Sequence, residues 1–233
     1  MGGLTAAAIA LLDRPAWSSL TTAHADLAQG GALALRYRPE VNMFVSPADH
    51  GAEALAAAAA LVASGDRAYI VQAEPAPELP GLATVLRRPL VQMVFAGPLP
   101  AREPDAEIAP LDENDADEML ALATLQQPGP FRRETHRMGR FVGVKRGGRL
   151  AAMAGERFRF PGFRELSGVC THPDFGGEGL GTLLSAHVTQ AILDRGETPF
   201  LHAWSDNHGA IALYERLGYR IRRELNATMF ERA

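Results

Sequence analysis

Val169-Cys170-Thr171-His172-Pro173-Asp174-Phe175-Gly176-Gly177-Glu178-Gly179-Leu180-Gly181-Thr182 is the stretch that decides how this chain is read. It parses as the end of a strand, a proline-bearing turn, a glycine-rich loop and the first turn of a helix. Glycines at 176, 177, 179 and 181 leave backbone N–H groups free to approach an anion, and a helix beginning there points its positive end at the same spot. Leu180, Leu183, Leu184, Val188, Ala191 and Ile192 then recur at helical spacing. The stretch predicts a phosphate-bearing ligand at the helix start. The competing structural reading is a tight strand-to-helix turn.

Two familiar phosphate loops are excluded. A nucleotide P-loop needs Gly-Lys-Ser/Thr, and Gly181 precedes Thr182 with no lysine. The dinucleotide fingerprint needs G-x-G-x-x-G, whereas 177, 179 and 181 give G-x-G-x-G with no second βαβ unit after it. A second segment narrows the choice. Phe200-Leu201-His202-Ala203-Trp204 reads as a short strand, Asp206-Asn207 as a helix cap, and Ala210-Ile211-Ala212-Leu213-Tyr214-Glu215-Arg216-Leu217 as a helix. Asn207 and Tyr214 lie about two helical turns apart, on one face. Gly218 follows where a helix end favours a left-handed residue.

Together these segments resemble the GCN5-related N-acetyltransferases (GNAT), with the loop as motif A and 207–219 close to the signature N-x-x-A-x-x-L-Y-E-x-L-G-F/Y. The resemblance covers roughly residues 105–233. Cys170-Thr171-His172-Pro173 and Thr198-Pro199-Phe200-Leu201-His202 look most like the FR47-like branch. It implies a mixed α/β sheet of the acyl-CoA N-acyltransferase fold and acetyl-CoA as cofactor. In the FR47-like branch the N-terminal half is often a degenerate copy of the same fold, so the division implied is 1–97 for that copy, 98–106 for a linker and 107–233 for the catalytic domain. The implied activity is direct acetyl transfer to a primary amine of a small molecule or amino acid. A protein N-terminus or lysine as acceptor, and a non-catalytic CoA-binding sensor, stay open.

The resemblance also distributes roles. The backbone of Val169, Cys170 and Thr171 would pair with the pantetheine arm, and a donor near Cys170 would polarise the acetyl carbonyl. The pyrophosphate would lie on Gly176, Gly177, Glu178, Gly179, Leu180, Gly181 and Thr182. Asn207 would touch the cofactor arm or simply cap its helix. Tyr214 would protonate the leaving thiolate. For the general base, Glu165 has the spacing of the histone-acetylating members, and His202 stands where other members carry a glutamate; both are candidates. Strict alternation puts Glu165, Ser167, Val169 and Thr171 on one strand face. Cys170 reads as a small buried hydrophobe rather than a nucleophile. One departure stands out: Gly176 occupies the place of the family's usual Arg or Gln, and Glu178 a place that is often basic. Gly176 either forgoes a phosphate contact or serves a positive φ.

Composition sets the outer limits. The chain has 233 residues, 47% hydrophobic and 21% charged, an ordinary globular balance. A net charge of −4 gives no reason to expect nucleic-acid or anionic-membrane binding. The apolar run Leu4–Leu12 lacks a basic lead and is broken by Asp13 and Arg14, so it is not read as a signal peptide. No run approaches a membrane span. The single cysteine allows no internal disulfide. The seven histidines show no metal-ligand spacing, and no metal is expected. The expected location is cytoplasmic; the oligomeric state is not legible.

Upstream, a helix is predicted over 17–27, strands over 32–38 and 42–45, an alanine-rich helix over 52–63, and strands over 68–72 and 90–95. Pro98-Leu99-Pro100-Ala101-Arg102-Glu103-Pro104 is a proline-punctuated linker. Asp112-Glu113-Asn114-Asp115 opens a helix with acids at its positive end, and Gln127-Pro128-Gly129-Pro130 breaks it. The later half reads β-α-α-β-β-β-α-β-α-β-β. Arg132 and Arg133 are either an exposed basic pair or a grip for an acceptor carboxylate.

Overall fold

The computed structural model describes residues 4–100 and 106–232; Met1–Gly3 and 101–105, the middle of the predicted linker, lie outside them. The first half contains α1 (Ala6–Asp13), α2 (Pro15–Leu20), β1 (Ala28–Gly31), β2 (Ala34–Tyr37), β3 (Val45–Pro47), α3 (Ala52–Ala60), β4 (Arg67–Gln72) and β5 (Ala83–Phe95). The second contains β6 (Ala109–Leu111), α4 (Ala116–Gln126), β7 (Phe141–Arg146), β8 (Arg149–Phe160), β9 (Phe163–Thr171), α5 (Leu180–Leu193), β10 (Thr198–Trp204), α6 (His208–Arg216) and β11 (Tyr219–Glu231).

Local chemistry explains where several elements begin and end. The run Leu4–Leu12 supplies α1, whose first turn is capped by the Thr5 hydroxyl, accepting from the Ala8 N–H at 3.2 Å. The helix predicted over 17–27 is shorter and starts at Pro15, where a missing N–H costs nothing. It stops at Leu20 because the hydroxyls of Thr21 and Thr22 turn back onto the carbonyls of Trp17 and Ser18, at 2.8 and 2.5 Å. Asp112 and Asp115 form a reciprocal capping box ahead of α4. Gln127 ends α4 in a left-handed conformation, φ 51°.

β1, β2 and β3 form a small antiparallel sheet, and the other eight strands form one mixed sheet in the order β4-β11-β5-β10-β9-β8-β7-β6. All its neighbours are antiparallel except β9 and β10. The predicted order of the second half is corrected in two places. Its second helix is only a 3₁₀ turn, Thr135–Met138, and the half ends in one strand rather than two. The missing partner comes from before the linker: β5 lies between β10 and β11. The run Leu90-Val91-Gln92-Met93-Val94-Phe95 is apolar toward both faces, as a central strand requires. Hydrogen bonding therefore carries the sheet across the 98–106 crossing.

Each face of the sheet has its own core. α5 and α6 cover one face, where Leu180, Leu184, Val188 and Ile192 meet Met93, Leu201 and Tyr219. On the opposite face α1 and α2 bring Leu12, Ala16 and Leu20 against Phe158, Phe160 and Phe200. Neighbours Phe200 and Leu201 enter opposite cores, as the period of two demands.

Candidate active site

The parallel pairing of β9 and β10 is brief. Phe163, Arg164 and Glu165 pair with Thr198, Pro199 and Phe200, and the strands then part. The parting leaves a cavity of about 390 Å³. Val169, Cys170 and Thr171 line one side and His202, Ala203 and Trp204 the other. Asn207, at the cap of α6, and Ala210 and Tyr214 within it close one end, with Gln126, the last residue of α4, and the following 127–130 completing the rim. Phe44, Tyr69, Val71, Leu90 and Ala227 complete an apolar wall drawn partly from the first half.

A bulge in β9 shapes this edge. The register against β8 slips between Gly155/Ser167 and Met153/Cys170, and Gly168 there has φ 64°. Glycine is required, since a Cβ at 168 would stand 2.9 Å from the Phe141 ring. The extra residue resets alternation: Leu166 and Val169, three apart, both pack toward α5. The single face predicted for Glu165, Ser167, Val169 and Thr171 is thus corrected. Val169 and Thr171 turn to the start of α5, within 3.9 and 3.6 Å of where a Cβ on Gly181 would lie. Glu165 turns to the other core.

The glycine loop has the predicted form. Gly177 and Gly179 have φ 86° and 75°, and Gly179 caps α5 with no side chain to occupy the helix's free N–H groups. Gly177 has open space where a side chain would start. Gly176 has φ −64°, so it serves no left-handed turn. Glu178 is exposed. Arg149 reaches the flank of the loop and pairs with Asp174 at 2.9 Å.

Glu165, a candidate base from the sequence, does not line the cavity. Its side chain is fully buried and both oxygens are taken. Arg157 donates from Nε and Nη2 at 2.8 and 2.7 Å, the Phe158 N–H at 3.1 Å, and His202 Nδ1 at 2.7 Å. Burial alone would raise this carboxyl; the Arg157 guanidinium and then His202 outweigh it and hold it down at about 2. His202 is held on its other side too. Gln92, directly opposite on β5, donates its amide to His202 Nε2 at 3.0 Å and to the Leu12 carbonyl at 2.8 Å. The Gln92 oxygen accepts from Arg222 Nε at 2.6 Å, and Arg222 also pairs with Asp13. With Nε2 accepting, the ring hydrogen sits on Nδ1.

Tyr214 lines the cavity with a hydroxyl that no group hydrogen-bonds among the described residues. Burial pushes its phenol up to about 12, and burial pushes the Cys170 thiol to about 12 as well. Asn207 caps α6, accepting from the Ala210 N–H at 3.1 Å, and borders the cavity. The sequence reading missed Arg157, Gln92, Arg222 and Asp13. Their one-dimensional signal is weak, because the strand crossover that unites them carries no motif.

The comparisons with known proteins fit this geometry. The FR47-like protein family model matches residues 141–228, which include the parted strands, the glycine loop and α6. A GNAT-family protein from Novosphingobium aromaticivorans is 40% identical over 95% of this chain and 98% of that one, with a TM-score of 0.89. The chain belongs to the GNAT family. A Drosophila protein (21% identity, 85% of this chain and 73% of that one, TM-score 0.60) shares the fold. So does a GNAT-family acetyltransferase from Colwellia psychrerythraea (13%, 95% and 97%, TM-score 0.52). No curated protein sequence matches the chain. GNAT membership bears out the resemblance read from the two motifs and supports acetyl transfer as the general chemistry. No helix among the described residues is long and apolar enough to cross a membrane.

The residues present fit a GNAT cofactor. The glycine loop leaves a cradle of N–H groups at a helix start, and the parted edge of β9 is free beside it. The φ angles separate two substitutions. Gly177→Ala forces an L side chain into left-handed backbone and is expected to weaken CoA binding by about 1–2 kcal/mol. Gly176→Arg meets no such strain, although its Cβ lies 3.3 Å from the Pro173 carbonyl. It is expected to tighten CoA binding by ~0.2–1 kcal/mol if solvent-screened and ~1.5–3 kcal/mol if hydrogen-bonded to phosphate. Titration calorimetry at two ionic strengths checks both; weaker binding by Gly176→Arg contradicts the phosphate placement.

Proposed function

We propose that the protein is an acetyl-CoA-dependent N-acetyltransferase that acetylates a small-molecule primary amine by direct attack. The observation that carries this reading is the parting of β9 and β10, with an unbonded Tyr214 hydroxyl on the wall of the gap. The Val169–Thr171 edge and the N–H groups of Gly177–Thr182 would hold the cofactor. Acetyl-CoA, when bound, supplies an activated carbonyl and a thiolate leaving group.

The chain's own residues do the rest. Backbone donors along Val169–Thr171 polarise the carbonyl. As the nitrogen–carbon bond forms and the carbon–sulfur bond breaks, Tyr214 delivers a proton to sulfur. The amine's proton has no free protein base to go to. Glu165 is spent on Arg157, both His202 nitrogens are engaged, and no Asp or Glu lines the cavity. The amine therefore enters neutral, the proton its nitrogen sheds on becoming an amide passes to water, and water returns one to the Tyr214 phenolate; His202 with Glu165 fixes the shape of the wall.

Acetyl-CoA at 100 times its dissociation constant is expected to stabilise the fold by ~2.7 kcal/mol, read as a rise in melting temperature. ATP and NAD at equal concentration are expected to give less. An equal rise with NAD sinks the reading.

A further inference from the structure

Beside the cavity between the strands lies a second, more open hollow of about 590 Å³, with which it shares Tyr69, Gln127, Gly129, Pro130 and Trp204. No residue of the glycine loop lines either space. The second hollow is thus a separate approach to the same gap, suited to the acceptor.

Its charge is one-sided. Arg67, Arg88, Arg132 and Arg157 line the two spaces, and no Asp or Glu does. Two of these cations are spent outside the hollow. Arg67 pairs with Glu231 at 2.9 Å. Arg88 grips both Asp206 oxygens at 2.6 and 2.7 Å while stacked 4.4 Å over Trp204. The other two keep donors in hand. Arg157 uses Nε and Nη2 on Glu165, and its Nη1 faces Gly129, 3.6 Å from where a Cβ there would lie. Arg132 has a buried Nε without a partner, and its nearest carboxylate, Asp66, is 3.8 Å away. Asp66 already serves the buried Arg36 and accepts from the Arg67 N–H. Arg133, read with Arg132 from the sequence, turns away to Asp117 at 3.0 Å.

We propose that the acceptor carries a carboxylate beside its amine, as an amino acid does, and that Arg132 and Nη1 of Arg157 bind that carboxylate. The inference rests on the acetyltransferase reading and deepens it. A guanidinium offers the planar donor geometry a carboxylate matches. A polyamine would find no carboxylate among the residues that line either space.

The test is binding, so it does not depend on guessing the acceptor that turns over. N-acetyl amino acids with small, aromatic and acidic side chains are titrated calorimetrically with CoA present, each beside its primary amide. At least one acid is expected to bind about tenfold or more tightly than its amide. Arg132→Gln is expected to erase most of that preference and leave the affinity for CoA alone unchanged. The proposal is overturned if amides bind as tightly as acids, if no acid binds by about 10 mM, a Kd corresponding to under 3 kcal/mol, or if Arg132→Gln keeps the preference. O-phosphoethanolamine binding above every acid overturns the carboxylate assignment. If CoA binds but acids show no preference, this inference fails while the acetyltransferase reading stands. If CoA does not bind, that reading fails, and this inference with it.

Discussion

Tyr214→Phe is expected to lower kcat about 100-fold or more, the scale of a lost general acid, while the affinity for acetyl-CoA stays nearly unchanged. The reason lies in proton affinities. Burial pushes the phenol to about 12, so it stays protonated at neutral pH. An ordinary thiol near pKa ~8.5 would then be a poor match. Cys170 shows what this neighbourhood does to a thiol, since burial alone lifts it to about 12. A thiolate released against the same wall would be pushed in the same direction, which narrows its mismatch with the phenol. Single-turnover acetylation separates the step from product release. If kcat for Tyr214→Phe equals wild type in that assay, the acid is some other group.

Glu165→Ala is expected to destabilise the fold by ~3–5 kcal/mol, because it leaves the Arg157 guanidinium buried without its partner. The pH dependence has a definite sign. The native carboxyl sits near 2 against an ordinary 4.5, so folding favours the charged form. Its contribution is complete above about 4.5 and is lost as pH falls toward 2. Urea midpoints between pH 6 and pH 3 are expected to fall for wild type with an acid slope that Glu165→Ala reduces, the remainder coming from carboxylates such as Asp66 and Glu197 that arginines also hold down. Equal slopes in the two proteins would mean that Glu165 is not the group holding that charge.

Much of the site was legible because its chemistry is local in sequence. The glycine loop, the Asn207 cap and Tyr214 each sit within a few residues of the signals that announce them. The bulge at Gly168 was not legible, because alternation is a rule for unbroken strands and one inserted residue reverses every side chain beyond it. That single residue separates Glu165 from Val169 and Thr171. The engagement of Glu165 was not legible for a further reason. A spacing says where a carboxylate lies along the chain, whereas its basicity is set by Arg157 across the strand pair and by His202 on another strand. The Gln92–His202 contact needs β5 between β10 and β11, and Leu90–Phe95 reads as a strand without saying which partner it takes.

The place of β5 also sets an order of events during synthesis. β4 and β5 emerge early and pair with strands made at the end: Phe95 lies opposite Tyr219 and Arg67 opposite Glu231. Until β10 and β11 appear, the apolar run Leu90–Phe95 has no sheet to enter, and most of the second half must be made first. Closure of such distant pairs is slow, and an unpaired apolar strand is an adhesive edge while it waits. The nascent chain of this protein therefore depends on its last strand to bury its first large one. Loss of Met229–Glu231 would unpair the start of the edge strand β4 and the outer end of β5, and would take Phe230 from the core it shares with Val45 and Ile70.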